Sequence, residues 1–582
     1  MPRPAANRPA PVVKKPPVAA PRWLRPLILA LSAFALMGWF STEVSDPDTW
    51  WLLKSGQYIW QNHKLPVPDP FAYTTYMGKP AFPGEEHMRD FDLSHEWLSE
   101  VVFYLVYAGG GFAGLVLFRA ALLTGFCGVV GLMAFHRSKG FYRALGAVFL
   151  AASIADKFRS DRPFLIGFLL LALVMAALEY RRWLWWLPPL FAVWANLHGG
   201  FFLGWALLGA YCAEALFLRW RGRGPEGTPA DERRLWLVSG ACVLASGLNP
   251  NGFRAVTILS TYSNSALQMS LWEWQHTALW PPEAFGVLLF AGAAALLWAR
   301  SKARVSDWLL FLAFAAAGID VVRNVMLMGL IAPIAIASYI PWKRTLPVLA
   351  EFLVAILVLA GAGAQMARGS AFQFRAAEWR YPAGAADFLL AHNVSGRMFN
   401  TYDYGGYLIW RLGPHERVFI DGRALNESVF LDYRRMATNA DSTGGKSGEE
   451  LLDQYGIQVI VMDGFEFASG EPYLLPAALS DPSQKEWKLV YQDAAAVVFM
   501  RHPPPSVEPL NSLDALTSME SQCAEHIQHM PVQPRCARGL GDLFARIGDT
   551  GRARRWMVFY LEHRVEPDPE ADGMYRRLLG TP

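Results

Sequence analysis

The 582-residue chain is 53% hydrophobic, 14% aromatic and only 18% charged. Because a soluble protein carries about 25% charged residues, this deficit indicates that lipid surrounds much of the chain. The formal net charge of +3 is small and argues against nucleic acid as a partner. Five cysteines in this length exclude a disulfide scaffold.

The chain begins with "MPRPAANRPAPVVKKPPVAAPRWLRP", which is rich in proline and basic residues and poor in acids. This composition predicts a disordered cytoplasmic arm over residues 1–22. The apolar run that follows has no small-residue cleavage site and leads into Asp46. We therefore expect an anchored helix and not a signal peptide.

A helix that crosses the hydrocarbon core needs about 20 mostly apolar residues. Runs of this kind predict a polytopic α-helical membrane domain over residues 23–368 with about eleven transmembrane helices. Their starting points are Trp23, Gly111, Tyr142, Phe164, Trp183, Phe201, Leu235, Phe285, Ser306, Val325 and Leu346.

The Lys and Arg residues of the connections predict the orientation of these helices. If the N-terminus is cytoplasmic, the inner segments carry more than twice as many Lys and Arg as the outer ones. The first outer loop then covers residues 43–95, and the chain after the last helix lies outside. The sequence thus predicts a multi-pass protein with its C-terminal part on the outer face.

With this orientation, the unusual polar residues of the membrane domain gather on the outer face. Polar groups at membrane depth are costly and usually line a site or a pathway, so together they predict one outward-facing cavity. They are Asp46, Asp48, His95, Glu96, Arg159, Asp161, Arg162, Asn196, His198, Asn249, Asn251, Asp320, Arg323 and Asn324.

The composition changes after the last apolar run and predicts an outer α/β domain over residues 369–502. "YPAGAADFLLAHN" is typical of an amphipathic helix, "RVFIDGR" and "IQVIVMDG" of short strands, and "WKLVYQDAAAVVFMRH" of a hairpin. Residues 503–582 form a linker and a helical tail whose last part resembles one tetratricopeptide helix pair. Cys523 and Cys536 lie in this outer tail, where an oxidising compartment permits a disulfide.

Two interpretations apply to the motif "SDPDTWW" at the outer end of the first helix. Asp46 or Asp48 can cap the following helix, in which Trp50 and Trp51 suit the headgroup region and are expected to line the substrate cavity. Capping needs only one carboxylate, however, and here there are two, so a catalytic base is the second interpretation.

The other polar groups have similar alternatives. His95 and Glu96 open a helix that Ser94 can cap, or His95 shares a proton or a metal with Asp48. Arg159 and Arg162 either grip a phosphate or extend to the interface.

The span "WANLHGGFFLG" contains Asn196, His198 and a glycine pair. It is either a place where the backbone can approach a ligand, or a membrane span in which His198 is an ordinary core histidine. Asp320 and Arg323 stand one turn apart and can simply pair with each other. In the outer domain, Tyr402, Asp403, Asp421 and Arg423 are polar residues of turns.

The order of these motifs resembles the GT-C superfamily of membrane glycosyltransferases, and more closely its bacterial glycosyltransferase-like members. The resemblance covers Pro26 to His502, and the tail lies beyond it. It rests on the ordered segments "DPDTWW", "DPFAYT", "HEWLSE", "NLHGGF", "LNPNGF" and "YDYGGYLIW…VFIDGR".

The resemblance implies a transferase in the bacterial cytoplasmic membrane that takes a sugar from a polyprenyl-phosphate donor on the outer face. It makes Asp46 or Asp48 the base that deprotonates the acceptor. From their position in the sequence, His95 and Glu96 are further catalytic candidates. It makes Arg159, Arg162 and Arg323 candidates for the donor phosphate. The acid-rich second outer loop of the better-characterised mannosyltransferases is reduced to "SDRP" here, and no acceptor-peptide signature is present.

Two classes of function follow. The first is a glycosyltransferase acting on a glycan, lipid or protein acceptor. The second is a non-catalytic envelope scaffold or transporter whose outer domain binds a partner. A D-x-D motif holds a divalent cation in nucleotide-sugar enzymes but is not required to do so with a lipid-phosphate donor, so the metal is unknown from sequence.

Overall fold

The computed structural model describes residues 20–222, 229–262, 264–267, 271–340, 346–467, 469–529 and 534–580. Most of the predicted N-terminal arm, residues 1–19, lies outside the described residues. The chain is a mostly helical protein with several apolar helices, followed by a small sheet domain and a helical tail.

In the described part of the chain up to residue 367, the regular elements are all helices. Its α-helices are α1 (Leu24–Phe40), α2 (Asp48–Asn62), α3 (Glu85–Asp92), α4 (Trp97–Ser138), α5 (Phe141–Ala155), α6 (Phe164–Tyr180), α7 (Leu187–Leu197), α8 (Phe202–Trp220), α9 (Pro229–Ala245), α10 (Arg254–Tyr262), α11 (Ala284–Trp298), α12 (Val305–Asp320), α13 (Met326–Tyr339) and α14 (Val348–Ala367).

A helix lies at each of the predicted apolar runs. Among the described residues, four helical stretches are long and apolar enough to cross a membrane, and they are Glu85–Ser138, Gly199–Trp220, Val322–Tyr339 and Val348–Ala367. Shorter apolar helices include α1, α6 and α11. The number of transmembrane helices stays a prediction.

Helix α4 is interrupted at Gly111, where φ is 56° and ψ is −148°. Glycine adopts this conformation without the steric cost that a side chain brings. The interruption lies where the sequence predicts the start of the second apolar run. Before the interruption α4 packs on α2, since a β-carbon at Gly56 would meet Glu100 and Tyr104. After it α4 packs on α5, since a β-carbon at Gly131 would meet Val148.

The first outer loop and the sheet domain lie at the same end of the bundle, which we call the outer end. Val44 forms a parallel bridge with Ala376, and Ala72 forms one with Val418. The chain leaving α1 is thus hydrogen-bonded to the chain entering the sheet domain, and both border the start of α2.

The sheet domain has four strands in the order β1-β2-β4-β3. Strand β1 runs parallel to β2, whereas β2 and β4, and β3 and β4, are antiparallel. The predicted hairpin and the "IQVIVMDG" strand are both present. The elements are α15 (Ala383–Ala391), β1 (Met398–Asn400), α16 (Tyr402–Leu412), α17 (Glu427–Ala437), α18 (Gly448–Gln454), β2 (Val459–Met462), α19 (Leu474–Leu479), β3 (Lys488–Gln492) and β4 (Val497–Met500).

The prediction of a strand at "RVFIDGR" is wrong. The side chain of Asn400 makes hydrogen bonds there that a neighbouring strand would otherwise make. Asn400 accepts the Phe419 amide at 2.8 Å and donates to the Ile420 carbonyl at 2.7 Å. With these backbone groups already satisfied, the segment keeps only the single bridge at Val418.

The tail contains α20 (Asp514–His529), α21 (Arg535–Arg546), α22 (Thr550–His563) and α23 (Pro569–Leu578). Helices α21 and α22 pack as a pair, with Gly548 at a φ of 85° in the turn between them. Cys523 and Cys536 form a disulfide, and the other three cysteines are free and buried. The tetratricopeptide resemblance stays a prediction.

The opposite end of the bundle, which we call the inner end, is closed by an ion-pair network. Arg137, at the end of α4, binds Glu179 at 2.7 Å and Asp307 at 2.8 Å. Arg304 binds Glu179 at 3.0 Å and Glu214 at 3.4 Å. The network ties α4, α6, α8 and α12 together.

Candidate active site

The D-P-D motif begins helix α2 at the outer end of α1. Asp46 Oδ1 accepts the backbone N–H of Asp48 at 3.0 Å, and the Asp46 carbonyl accepts that of Thr49 at 3.2 Å. Asp46 therefore satisfies helix-start amides that have no partner within the helix. This capping role needs only one carboxylate, so the side chain of Asp48 is available for a different role.

Arg162 brings the two carboxylates together. Its Nε lies 2.6 Å from Asp46 Oδ2, and its Nη2 lies 2.8 Å from Asp48 Oδ2. The side chains of Asp46 and Asp48 are 9% and 13% exposed, while that of Arg162 is 28% exposed. One partly accessible guanidinium thus holds two nearly buried acids.

The two carboxyl groups differ in their proton affinity. Burial raises the pKa of Asp48 to about 6, because it outweighs the opposing charge of Arg162. Burial also acts on Asp46, but the charge and hydrogen bond of Arg162 hold the pKa of Asp46 below its ordinary value. Environments that separate two neighbouring pKa values give two acids different chemical roles.

A fully buried ion pair fixes the loop that carries Arg162. Arg119 Nη1 lies 2.7 Å from Asp161 Oδ2, and neither side chain is exposed. The Nε of Arg119 also donates to the carbonyl of Phe40 at 3.3 Å, at the end of α1. The sequence predicts that Asp161 lines the cavity. In the structure it instead anchors, through Arg119, the loop between α5 and α6 to the end of α1.

The sheet domain covers the D-P-D motif. A β-carbon at Gly422 would overlap Asp48 Oδ1, and one at Gly406 would lie 2.6 Å from the carbonyl oxygen of Pro47. Tyr402 donates its hydroxyl to the Gly422 carbonyl at 2.8 Å. The glycines of "YDYGGY" and "IDGR" thus permit a close approach that a side chain would block.

Arg423 joins this cover to the first outer loop. Its guanidinium binds Asp421 at 2.7 Å and Asp69 at 3.1 Å, and it lies over the Trp51 ring at 5.8 Å from the centroid. All three charged side chains are at most 3% exposed. The Trp51 indole N–H is buried, and a hydrogen bond from the Trp51 side chain acts to lower the pKa of the Asp48 carboxyl against the larger effect of burial.

Trp50 lies in an aromatic cluster. Its ring makes edge contacts with Phe112, Tyr381 and Tyr407 at centroid distances of 5.8, 5.0 and 4.8 Å. Trp50 is 3% exposed, so it packs α2 against its neighbours.

His95 and Glu96 form a second cluster before α4. His95 Nε2 lies 3.3 Å from Glu96 Oε2, and the His95 ring stacks on Phe91 at 4.4 Å. The expected Ser94 cap is absent, since the Ser94 hydroxyl donates to the Asp90 carbonyl instead. His95 contacts Glu96 and Phe91, and among the described contacts it has none with Asp48.

Glu273, which sequence analysis did not single out, links two of the predicted phosphate-binding arginines. It lies 3.8 Å from Arg162 Nη1 and 3.9 Å from Arg323 Nη1. Arg159 points elsewhere and pairs with Asp156 at 3.1 Å. The only local signal for Glu273 is an acid between tryptophans in "LWEWQH".

Four further predicted residues stabilise loops by hydrogen bonds. Asn196 accepts the Trp97 indole N–H at 2.8 Å, and Asn249 donates to the Ser246 carbonyl at 2.7 Å. His198 Nδ1 accepts the Gly200 amide at 3.0 Å. Asn324 donates to the carbonyl of residue 317 at 3.3 Å.

Asp320 and Arg323 do not pair with each other. Asp320 Oδ1 lies 3.5 Å from His276 Nδ1, and the Asp320 side chain is 71% exposed. Arg323 turns toward Glu273 and Trp274. Asp320 ends α12 and Arg323 lies just after it, but the two side chains face different partners.

Among the described residues, no group of three or more His, Cys, Asp and Glu is arranged to hold a metal ion. At the D-P-D motif, Arg162 pairs with both carboxylates, and its single positive charge balances one of their two negative charges.

Comparison with known proteins yields matches among solved structures. No protein-family model matches the chain. No curated protein matches it. The crystal structure of the Archaeoglobus fulgidus oligosaccharyltransferase, tethered by a disulfide bond to an acceptor peptide with the NVT sequon, aligns with a TM-score of 0.43 and 13% sequence identity. The alignment covers 86% of this chain and 77% of that chain.

Proposed function

We propose that the protein is a membrane glycosyltransferase that moves a sugar from a polyprenyl-phosphate donor to an acceptor at the outer face of the bacterial cytoplasmic membrane. One observation supports this most strongly. Arg162 holds Asp46 and Asp48 together, while burial gives the Asp48 carboxyl a pKa of about 6. A base with a pKa near the working pH is well suited to accept a proton from a hydroxyl group.

In this proposal the two acids have different tasks. Asp48 takes the proton of the acceptor hydroxyl as that oxygen attacks the sugar carbon, and the bond from the sugar to the donor phosphate breaks. Asp46 stays ionised and holds Arg162 in place. The acceptor is a glycan, a lipid or a protein, and the lipid-linked sugar is the co-substrate.

Arg323 is the best candidate for the departing phosphate. Its side chain is 38% exposed, and its ion pair with Glu273 is long at 3.9 Å. Arg162 is already committed to two carboxylates, so it acts as a positioning residue. A cation beside the leaving phosphate stabilises the charge that develops there.

The alternative is a non-catalytic envelope scaffold or transporter. The tight pairing of Asp46 with Arg162 and the cover of Gly422 over Asp48 favour a structural role for the motif. The ion pairs at the inner end hold the helix ends together in this structure.

Turnover with defined donors distinguishes these functions. The wild type, Asp48→Asn and Asp46→Asn are purified in nanodiscs and offered radiolabelled polyprenyl-phosphate sugars, with a membrane extract as acceptor. We expect Asp48→Asn to lose transfer by 100-fold or more, about what general-base catalysis contributes, while it still binds the donor. Glu449→Gln, an exposed acid on α18, is the matched control and keeps full activity.

If the wild type binds and consumes none of the donors, the scaffold function replaces this proposal. If Asp48→Asn transfers sugar as fast as Glu449→Gln, Asp48 is not the base.

A further inference from the structure

The inner half of the bundle has a groove that the proposed reaction does not use. It has a volume of about 660 Å³ and lies between the second half of α4 and α6. This volume falls within the range of about 300–1,000 Å³ that is typical of ligand pockets. The groove lies beside the C-terminal ends of α4 and α6. The D-P-D motif lies at the other end of α6, where Arg162 precedes the helix.

The groove is lined by apolar and by polar residues. We call its apolar residues the floor, and Leu132, Leu173 and Ala176 are among them. We call the end of the groove that holds His136, Tyr180, Arg182 and Trp183 its mouth. Hydrocarbon along the floor and an anionic group at the mouth are the two features that this lining complements.

The positive charge at the mouth is not neutralised by protein. The residues lining the groove include no carboxylate. Glu179, the nearest acid in sequence, turns away into the network with Arg137 and Arg304. Arg182 is exposed and makes no side-chain hydrogen bond or ion pair within the described part of the chain.

Tryptophans mark the depth of the mouth. Trp183, Trp185 and Trp186 are 66%, 57% and 73% exposed. Tryptophan is enriched at the level of lipid headgroups, where its ring meets hydrocarbon and its N–H meets water. Arg182 therefore lies where a phospholipid carries its phosphate.

We infer that this groove binds one anionic glycerophospholipid of the inner leaflet. An acyl chain lies along Leu132, Leu173 and Ala176. Arg182 binds the phosphate, and the His136 ring donates to it. Basic pockets between transmembrane helices on the cytoplasmic side are suited to anionic headgroups. The site is independent of the proposed sugar transfer.

The test measures which lipid stays on the purified full-length protein. The protein is placed in nanodiscs of phosphatidylcholine with a minor fraction of phosphatidylglycerol. Native mass spectrometry then counts the lipids that stay bound after the protein is released from the nanodisc. We expect the wild type to prefer phosphatidylglycerol. Arg182→Ala lowers this preference about fivefold, corresponding to about 1 kcal/mol for one basic residue near an anionic headgroup.

Two further variants give the test its specificity. Leu132→Trp fills the groove and lowers retention of both lipids there. Arg300→Ala removes an exposed arginine after α11, away from the groove, and keeps the wild-type preference. Elution as a single species in size-exclusion chromatography shows that each variant is folded.

Three results overturn the inference. The first is that the wild type retains both phospholipids equally. The second is that Arg300→Ala loses as much preference for phosphatidylglycerol as Arg182→Ala does. The third is that added polyprenyl phosphate displaces phosphatidylglycerol from the wild type but not from Leu132→Trp, which would assign the groove to the donor lipid.

Discussion

Gly422 of the sheet domain faces the carboxylate of Asp48 so closely that a β-carbon on Gly422 would overlap Asp48 Oδ1. The two residues are far apart in the chain, since Gly422 belongs to the sheet domain and Asp48 to the first helix after α1. Their contact makes the sheet domain part of the candidate active site and not a separate module.

Gly422→Ala tests this contact. The added methyl group forces Asp48 or the Asp421–Arg423 turn to move, and overpacking of this kind costs about 1–3 kcal/mol. We expect a lower thermal midpoint and weaker sugar transfer, measured on the same detergent-purified sample. Gly551→Ala, at a helical position of the tail with room for a methyl group, is the control. Equal midpoints and rates for the two variants would contradict the close approach.

The transfer rate is expected to fall as the pH is lowered through about 6. Below that pH a growing fraction of Asp48 is protonated, because burial has raised its pKa, and a protonated carboxyl cannot accept a proton. A pH–rate profile at saturating donor measures this. A rate that stays constant from pH 7 to well below 6 would rule out Asp48 as the base.

The same pKa predicts how stability depends on pH. Because the pKa of Asp48 is higher in the folded protein than its ordinary value of 3.8, folding favours the protonated form. The contribution of Asp48 to stability is therefore most favourable below pH 3.8, is lost as the pH rises to about 6, and is constant above.

Asp48→Asn removes this dependence. Relative to the wild type, its stability is expected to rise across that window by up to about 3 kcal/mol. Thermal midpoints of both proteins at several pH values measure the difference. A difference that does not change with pH would show that the Asp48 carboxyl has no raised pKa.

Arg137→Ala is expected to destabilise the bundle strongly. The substitution leaves Glu179 and Asp307 buried with less compensating charge, and breaking a buried ion pair costs about 3–5 kcal/mol. Tryptophan fluorescence during heating measures the loss. Lys302→Ala, an exposed basic residue at the same end, is the control and stays near the wild-type midpoint. Equal midpoints for the two variants would mean that the inner network does not hold the helices together.

Thiol counting tests the orientation of the tail. An outer tail in an oxidising compartment keeps Cys523 and Cys536 bridged, so denatured protein from intact cells reacts with maleimide at three thiols. After reduction we expect five. The double variant Cys523→Ser/Cys536→Ser gives three in both cases. Five reactive thiols without reduction would place the tail in a reducing compartment.

Local patterns in the sequence determined where the helices lie. Each predicted apolar run has a helix in the structure, and Gly111 interrupts α4 where a new run was expected, because hydropathy and glycine conformation act over a few neighbouring residues. The hairpin β3–β4 and the strand at "IQVIVMDG" follow from the same kind of local signal. At "RVFIDGR" the local pattern is misleading, since Asn400 satisfies the backbone groups that a ladder would use.

Only the tertiary structure decided how the polar residues combine. Arg162 meets Asp46 across 116 residues of sequence, and Arg119 meets Asp161 across 42. No periodicity or spacing encodes such pairs, because a charge is paired by whatever group the folded chain brings within a few ångströms. For the same reason the sequence did not reveal Glu273 or the role of Gly422. The fold decided that Asp161 anchors a loop through Arg119, whereas Asp48 lies beside Arg162 at the start of α2.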